Sequence, residues 1–143
     1  MPTCDTATGP SSGHLAARLI DALLEEALAV AEDARDWLER RQAEPARSTR
    51  SLLEVLIEAR ETSRLTSRAA HCVAWLLARK ALACGEIDLA QASAPAHRLG
   101  DRAVCLAPPD GAASLPPRLA ELLQRSERLY ARIDRLDRML EPS

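Results

Sequence analysis

The sequence predicts an all-α protein, because its apolar residues follow helical periodicity and nowhere follow strand periodicity. Over three long stretches apolar residues recur at intervals of three and four, which aligns side chains along one side of an α-helix. The 143-residue chain shows no strict alternation of apolar and polar residues, the pattern of a half-buried strand. Its length corresponds to one domain. The sequence therefore predicts a bundle of three long helices with a long loop between the second and the third.

The first predicted helix runs from about Leu15 to Gln42, and residues 1–13 before it are predicted to be a disordered leader. Residues 14–143 then form a single domain. Six apolar residues repeat at helical spacing: Ile20, Leu24, Ala27, Ala31, Ala34 and Leu38. Four more widen this stripe: Leu19, Leu23, Val30 and Trp37. This wide stripe and Trp75 on the second predicted helix indicate more apolar surface than one bundle covers, and together they predict a homodimer.

The second predicted helix extends from about Ser48 to Cys84. Ser51 and Glu54 have the spacing of a capping box, and Gly85 is a natural residue to follow the helix end. Its heptad positions are Leu52, Leu56, Ala59, Ser63, Thr66, Ala70, Val73 and Leu77. The middle of this stripe is small and hydroxylated, which permits close approach of helix axes. The pattern predicts that this stripe packs inside the bundle.

A loop is predicted from about residue 86 to 114, a segment rich in proline. Asp88 is expected to cap one short helical turn that Pro95 stops. The third predicted helix begins near Pro116, where a first-turn proline is tolerated, and continues to about Leu140. Its heptad is unbroken: Leu119, Leu122, Ser126, Leu129, Ile133, Leu136 and Leu140.

Composition favours a cytoplasmic protein without a membrane segment. The net charge is −2, which implies no polyanionic partner. The N-terminus lacks a basic stretch followed by an apolar run, and the longest apolar run, Val73 to Ala78, is too short to cross a bilayer. Four cysteines without paired spacing are predicted to be reduced thiols.

No constellation of residues indicates chemistry. The donors available to a metal are His71, Cys72, Cys84, His97 and Cys105, and none of them has C-x2-C or H-x3-H spacing. Nucleophile motifs and glycine-rich phosphate loops are absent from the sequence. We therefore predict no catalytic, cofactor-binding or metal-binding residues, and a protein that is not an enzyme.

Arginine strips provide an alternative function, that of a helical nucleic-acid-associated regulator. Arg60, Arg64 and Arg68 recur every four residues on the second predicted helix. A second strip on the third predicted helix consists of Arg125, Arg128, Arg132 and Arg135. Acidic neighbours of both strips and a total of three aromatic residues argue against phosphate binding and base stacking. The sequence favours solvated helix faces with ion pairs over nucleic acid as a partner.

Trp75 and Tyr130 are the two large amphipathic residues that lie beside heptad positions. One interpretation is that they fill the centre of the bundle. The other is that they form a subunit or partner interface, where tryptophan and tyrosine are enriched. The sequence leaves both interpretations open.

Two longer motifs carry a family resemblance. The first is Glu61-Thr-Ser-Arg-Leu-Thr-Ser-Arg68, followed by Trp75-Leu-Leu and Gly85-Glu-Ile. The second joins Leu115-Pro-Pro-Arg-Leu119 to Ser126-Glu-Arg-Leu-Tyr130 and Arg132-Ile-Asp-Arg-Leu-Asp137. Together they resemble an alphaproteobacterial family of unknown-function domains that includes the regulator of CtrA degradation, RcdA.

The resemblance implies an antiparallel three-helix bundle that associates as a homodimer. It implies a regulatory adaptor in the cell cycle that brings substrates to the ClpXP protease through a response-regulator partner. The residues that match the family's signature are Arg64, Thr66, Arg68, Trp75, Leu129 and Tyr130. From these and the second arginine strip, the candidates for partner binding or a subunit interface are Arg64, Arg68, Trp75, Tyr130 and Arg132.

Overall fold

The computed structural model describes residues 12–44, 50–107 and 115–140, and within these ranges every regular element is helical. Three long helices are α1 (Ser12–Ala43), α2 (Leu52–Ala83) and α5 (Pro117–Met139). Between α2 and α5 lie the short helices α3 (Leu89–Ala92) and α4 (Arg102–Cys105), separated by a 3-10 turn over Pro95–His97. The prediction of an all-α fold is confirmed.

The hydrophobic core lies where α1, α2 and α5 pack against one another. α1 contributes Leu23, Leu24, Ala27, Val30 and Ala34, and α5 contributes Leu119, Leu122, Leu129, Tyr130 and Ile133, all buried. The stripes predicted for the first and third helices therefore face the core, apart from exposed positions at their edges such as Leu19 and Leu140.

The ends of the elements follow the capping signals in the sequence. The Ser51 side chain accepts a hydrogen bond from the Glu54 backbone N–H at 3.2 Å. Gly85 adopts a positive φ of 73° just past α2, a conformation that costs glycine little and other residues more. Asp88 forms a full capping box with Gln91 at the start of α3. Ser51 therefore caps α2 through one of the two hydrogen bonds of the predicted capping box, and α2 begins at Leu52 rather than Ser48.

The apolar stripe of α2 that was predicted to face the core faces solvent instead. Seven of its eight residues are exposed, and Val73 is half-buried. The side that faces α1 and α5 follows a second heptad, made of Glu58, Glu61, Leu65, Arg68, Cys72, Trp75 and Arg79. The prediction from apolar periodicity selected the wrong side of α2 because four of the seven residues on the buried side are charged.

Two further expectations need correction. The segment after α2 contains α3, the 3-10 turn and α4, so residues 89–105 are more regular than the predicted loop, while residues 108–114 lie outside the described residues. Ser12 and Gly13 belong to α1 rather than to a leader, and residues 1–11 also lie outside the description.

The prediction of four reduced cysteines holds for two of them. Cys72 and Cys105 are free and buried. Burial raises the pKa of the Cys72 thiol to about 12, and it also raises the pKa of Cys105. Cys84 is disulfide-bonded, so the prediction is wrong there; Cys4 lies outside the described residues.

Candidate protein-binding surface

Helix α2 carries most of its charge on the side that faces the core. Eight of its residues are charged, and five of them are buried: Glu58, Glu61, Arg64, Arg68 and Arg79. Glu54 and Lys80 are half-buried, which leaves Arg60 as the exposed charged residue of this helix. Buried charges are costly unless they are paired. All five have at least one partner in the same chain, although Oε1 of Glu61 and Nε of Arg79 form no hydrogen bond with the described residues.

The first of these buried charges, Glu58, ties α2 to α1. Arg41 donates to both carboxylate oxygens of Glu58, at 2.7 and 3.0 Å, and Arg50 also pairs with this carboxylate. Burial by itself would raise the pKa of Glu58, but the hydrogen bonds from the two arginines outweigh burial and lower it. One turn further on, Arg64 donates to Glu61 at 3.1 Å, with both side chains buried.

Arg68 joins three helices through hydrogen bonds to backbone carbonyls. Its guanidinium donates to the carbonyl oxygen of Cys105 in α4 at 2.9 Å and to that of Leu123 in α5 at 3.1 Å. The same group lies 3.3 Å from the Ser126 hydroxyl. Burial lowers the pKa of Arg68, and the carbonyl acceptors compensate for the lost hydration. Arg68 is therefore a structural residue that anchors α4.

Asp137 on α5 collects hydrogen bonds from α2 and from the segment before α5. The Trp75 indole N–H donates to it at 2.9 Å, Arg98 donates with two nitrogens at 2.9 and 3.0 Å, and Arg102 completes the set. Burial would raise the pKa of Asp137, but these donors hold it at about 2. Arg102 also pairs with Asp134. This cluster, which we call the Asp137 cluster, fixes the 89–107 segment against α5.

Tyr130 on α5 binds the same 89–107 segment through its hydroxyl group. Its hydroxyl donates to the Gly100 carbonyl at 2.5 Å, and its side chain is fully buried. Burial raises the pKa of this phenol well above its usual range. Gly100 packs against His71, where an added Cβ would come within 3.1 Å of the imidazole ring.

With its charges turned inward, α2 presents an uncharged face to solvent. We define the outer face of α2 as Leu52, Leu56, Ala59, Ser63, Thr66, Ala70, Val73 and Leu77. Leu52 and Leu56 are 74% and 57% exposed, and Leu77 at the other end is 40% exposed. Leu53 and Val55 add further exposed apolar surface beside the first two. Val73, by contrast, packs against the core of the chain. An uncharged helix face that exposes leucines near both ends is typical of a protein–protein contact.

The structure places the sequence-predicted interface residues mostly inside the molecule. Arg64, Arg68, Trp75 and Tyr130 are buried in one chain, with contacts from the same chain. Arg132 remains exposed and lies 3.4 Å from Glu26. The core-filling interpretation accounts for the positions of Trp75 and Tyr130, and their role at an interface stays a prediction.

The outer face was missed as a surface because its pattern looks like a core stripe. The signal that could have found it is the second heptad, in which charged residues at 58, 61, 68 and 79 share one side of the helix with Leu65, Cys72 and Trp75. A helix with two competing stripes has surplus apolar surface whichever stripe is buried.

The described part of the chain offers no cluster of metal ligands, since no three His, Cys, Asp or Glu side chains converge there. None of the helices described combines the length and the apolar run needed to cross a bilayer.

Comparison with known proteins gives a family and no closer relative. Neither the curated proteins nor the solved structures contain a significant match to the chain. A family model described as "Protein of unknown function (DUF1465)" matches residues 11–143, which is nearly the whole chain and includes α1, α2, α5 and the segment between them. The chain therefore belongs to the DUF1465 family of proteins of unknown function.

Proposed function

We propose that this protein is a non-enzymatic regulatory adaptor, similar to RcdA, that binds protein partners in regulated proteolysis by ClpXP during the cell cycle. Its partners would be the ClpX protease system, a response regulator and the substrates delivered to them. The proposal includes a cytoplasmic location, a homodimer and an antiparallel arrangement of α1, α2 and α5. The motif resemblance supports the proposal, and family membership over residues 11–143 is consistent with it.

The observation that carries the proposal is the uncharged outer face of α2. The fold places five charged side chains inside and leaves Leu52, Leu56 and Leu77 in contact with solvent. Exposing this apolar surface is unfavourable for an isolated molecule, at roughly 25 cal/mol for each Å² left in water. A protein partner that covers the face recovers that free energy, which is the behaviour expected of an adaptor.

The arginine strips support the alternative of nucleic-acid binding less well. In the first strip, Arg64 and Arg68 are buried and donate to groups in the same chain, so they present no basic surface. In the second strip, Arg125 pairs with Asp33 at 2.7 Å and Arg132 with Glu26 at 3.4 Å. Neutralised and buried arginines release few counterions from a phosphate backbone.

A pull-down with named targets tests the adaptor function. The tagged chain and an unrelated helical bait of similar size are incubated with an alphaproteobacterial lysate, and retained proteins are identified by mass spectrometry. The proposal predicts enrichment of ClpX or of a response regulator on the tagged chain alone. Recovery of neither protein, repeated with purified ClpX, would contradict the adaptor function.

A deletion strain provides the second test. If the protein delivers substrates for degradation, loss of its gene should raise the abundance of a small set of ClpXP substrates, measured by quantitative proteomics. The same substrates should fall again when the gene is restored. An unchanged proteome would argue against delivery.

A further inference from the structure

Arg79 is a buried cation whose hydrogen bonds within the fold are incomplete. Its side chain is 8% exposed, and the guanidinium carbon lies 5.1 Å from the centroid of the Trp75 ring. Nη2 donates one long hydrogen bond, 3.4 Å, to the Ala92 carbonyl of α3, and Nε has no hydrogen bond with the described residues. Arg68 gains shorter bonds to two carbonyls, at 2.9 and 3.1 Å. Arg79 is therefore the less well compensated of these two buried arginines.

The Asp137 carboxylate does not neutralise Arg79. It attracts the guanidinium electrostatically, but the two side chains form no ion pair. The oxygens of Asp137 already accept hydrogen bonds from Trp75, Arg98 and Arg102. Arg98 also repels Arg79, and burial lowers the pKa of Arg79. A negative charge brought against Arg79 from outside the chain would supply the missing compensation.

We propose that the Arg79 guanidinium binds a carboxylate side chain from an acidic segment of a partner protein. Nη1 of Arg79 has no hydrogen bond with the described residues, and unlike Nε it retains some contact with solvent, so a carboxylate can approach it from outside. Hydrogen bonds between a guanidinium and a carboxylate are charge-assisted and strong. The inference rests on the proposed function and deepens it, because it names the chemistry that one partner must present.

The surroundings of Arg79 favour a carboxylate over a phosphate group. The Ala92 carbonyl oxygen lies next to Nη2, and the ionised Asp137 carboxylate lies within electrostatic range. A phosphate dianion would meet about twice the repulsion from these groups that a singly charged carboxylate meets. A phosphorylated partner is therefore disfavoured relative to one that presents aspartate or glutamate.

Nuclear magnetic resonance of the guanidinium tests the site in the intact chain. The Nε–Hε signal of Arg79, assigned by its loss in Arg79→Lys, is followed in the wild type at pH 7 while sodium acetate, sodium phosphate or sodium chloride is added at equal ionic strength. We expect acetate to shift this signal to saturation, and phosphate and chloride to shift it less. The signal of Arg128, exposed on α5, reports the non-specific effect of each salt.

A fluorescein-labelled peptide of six glutamates then tests binding of an acidic segment by fluorescence anisotropy. Arg79→Gln should weaken binding of this peptide by at least about tenfold, since it removes a charged donor, whereas Arg128→Gln should not. Circular dichroism checks that both variants are folded, and the acetate titration of the wild type does not depend on them.

Two results would overturn the carboxylate site: an Arg79 signal that acetate moves no more than that of Arg128, or one that phosphate moves more than acetate does. Peptide binding that is absent from the wild type, or equal in the wild type and a folded Arg79→Gln chain, would overturn the assignment of an acidic segment. Because these experiments use only the purified chain, their failure leaves the pull-down result for ClpX unaffected.

Discussion

At the scale of single residues, Asp137 shows how this fold accommodates buried charge. Its side chain has no exposure to solvent, yet four hydrogen bonds from Trp75, Arg98 and Arg102 stabilise the ionised form. Charge-assisted hydrogen bonds of this kind are stronger than neutral ones. The sequence marked Trp75 as important and contained Asp137 only as the last residue of a motif. The role of Asp137 was not predicted because two of its three partners, Arg98 and Arg102, come from a segment that was predicted to be a loop.

The lowered pKa of Asp137 predicts a loss of stability in acid. The pKa is about 2 in the folded protein against an ordinary value of 3.8, so the folded state binds its proton less readily than the unfolded state. The contribution, about 2 kcal/mol, is present above about pH 4 and is lost as the pH falls towards 2. Urea unfolding of the wild type at successive pH values measures it, and Asp137→Asn should lack this portion of the pH dependence.

Removing the carboxylate at neutral pH should cost more than an average surface change. Asp137→Ala leaves Trp75, Arg98 and Arg102 without their shared acceptor, and we expect the free energy of unfolding to fall by about 3 kcal/mol. Asp36→Ala, at an exposed position on α1, serves as the control and should change it by less than about 0.5 kcal/mol. Equal effects from the two variants would refute the role of the Asp137 cluster.

At the scale of elements, the sequence predicted which side of α1 and α5 faces the core, but it did not predict this for α2. α1 and α5 have one apolar stripe each, so pattern and burial coincide. α2 has two stripes, and burial follows the one with charged residues because Glu58, Arg68 and Arg79 find partners in other elements. These partners are brought together by the tertiary structure, and the periodicity of a single helix carries no information about them. The short helix α4 was missed for a related reason, since Arg68 and Asp134 on other elements help hold it.

The segment from α3 to α4 should open independently of the three long helices. Its attachment depends heavily on Arg98 and Arg102, which reach Asp134 and Asp137. The double variant Arg98→Ala/Arg102→Ala should increase amide hydrogen exchange over residues 89–105 while protection in α1 and α5 is retained. Arg128→Ala is the matched control. Unchanged protection over residues 89–105 would show that apolar contacts such as Leu99 suffice to hold the segment.

At the scale of the whole molecule, α2 buries its charged side and exposes its apolar side, the reverse of the usual arrangement. Charged residues that would normally give α2 a solvated face are used to hold α1, α4 and α5, and the apolar residues that would normally pack inside face outward. The chain therefore leaves the side chains of Leu52, Leu56 and Leu77 exposed to solvent, and the proposed function assigns this surface to a protein contact.

Light scattering of the purified chain, with and without a charge at the centre of the outer face, tests whether α2 forms the dimer. We predict twice the chain mass of 15.6 kDa for the wild type at micromolar concentration. Ser63→Glu places a charge at the middle of the outer face in each copy and should weaken a dimer formed through this face by at least about tenfold, equivalent to roughly 1.4 kcal/mol. Gln124→Glu, an exposed control on α5, should leave the mass unchanged. A monomeric wild type, or a Ser63→Glu chain that is folded by circular dichroism and shows the wild-type dimer dissociation constant over a concentration series, would contradict pairing through α2.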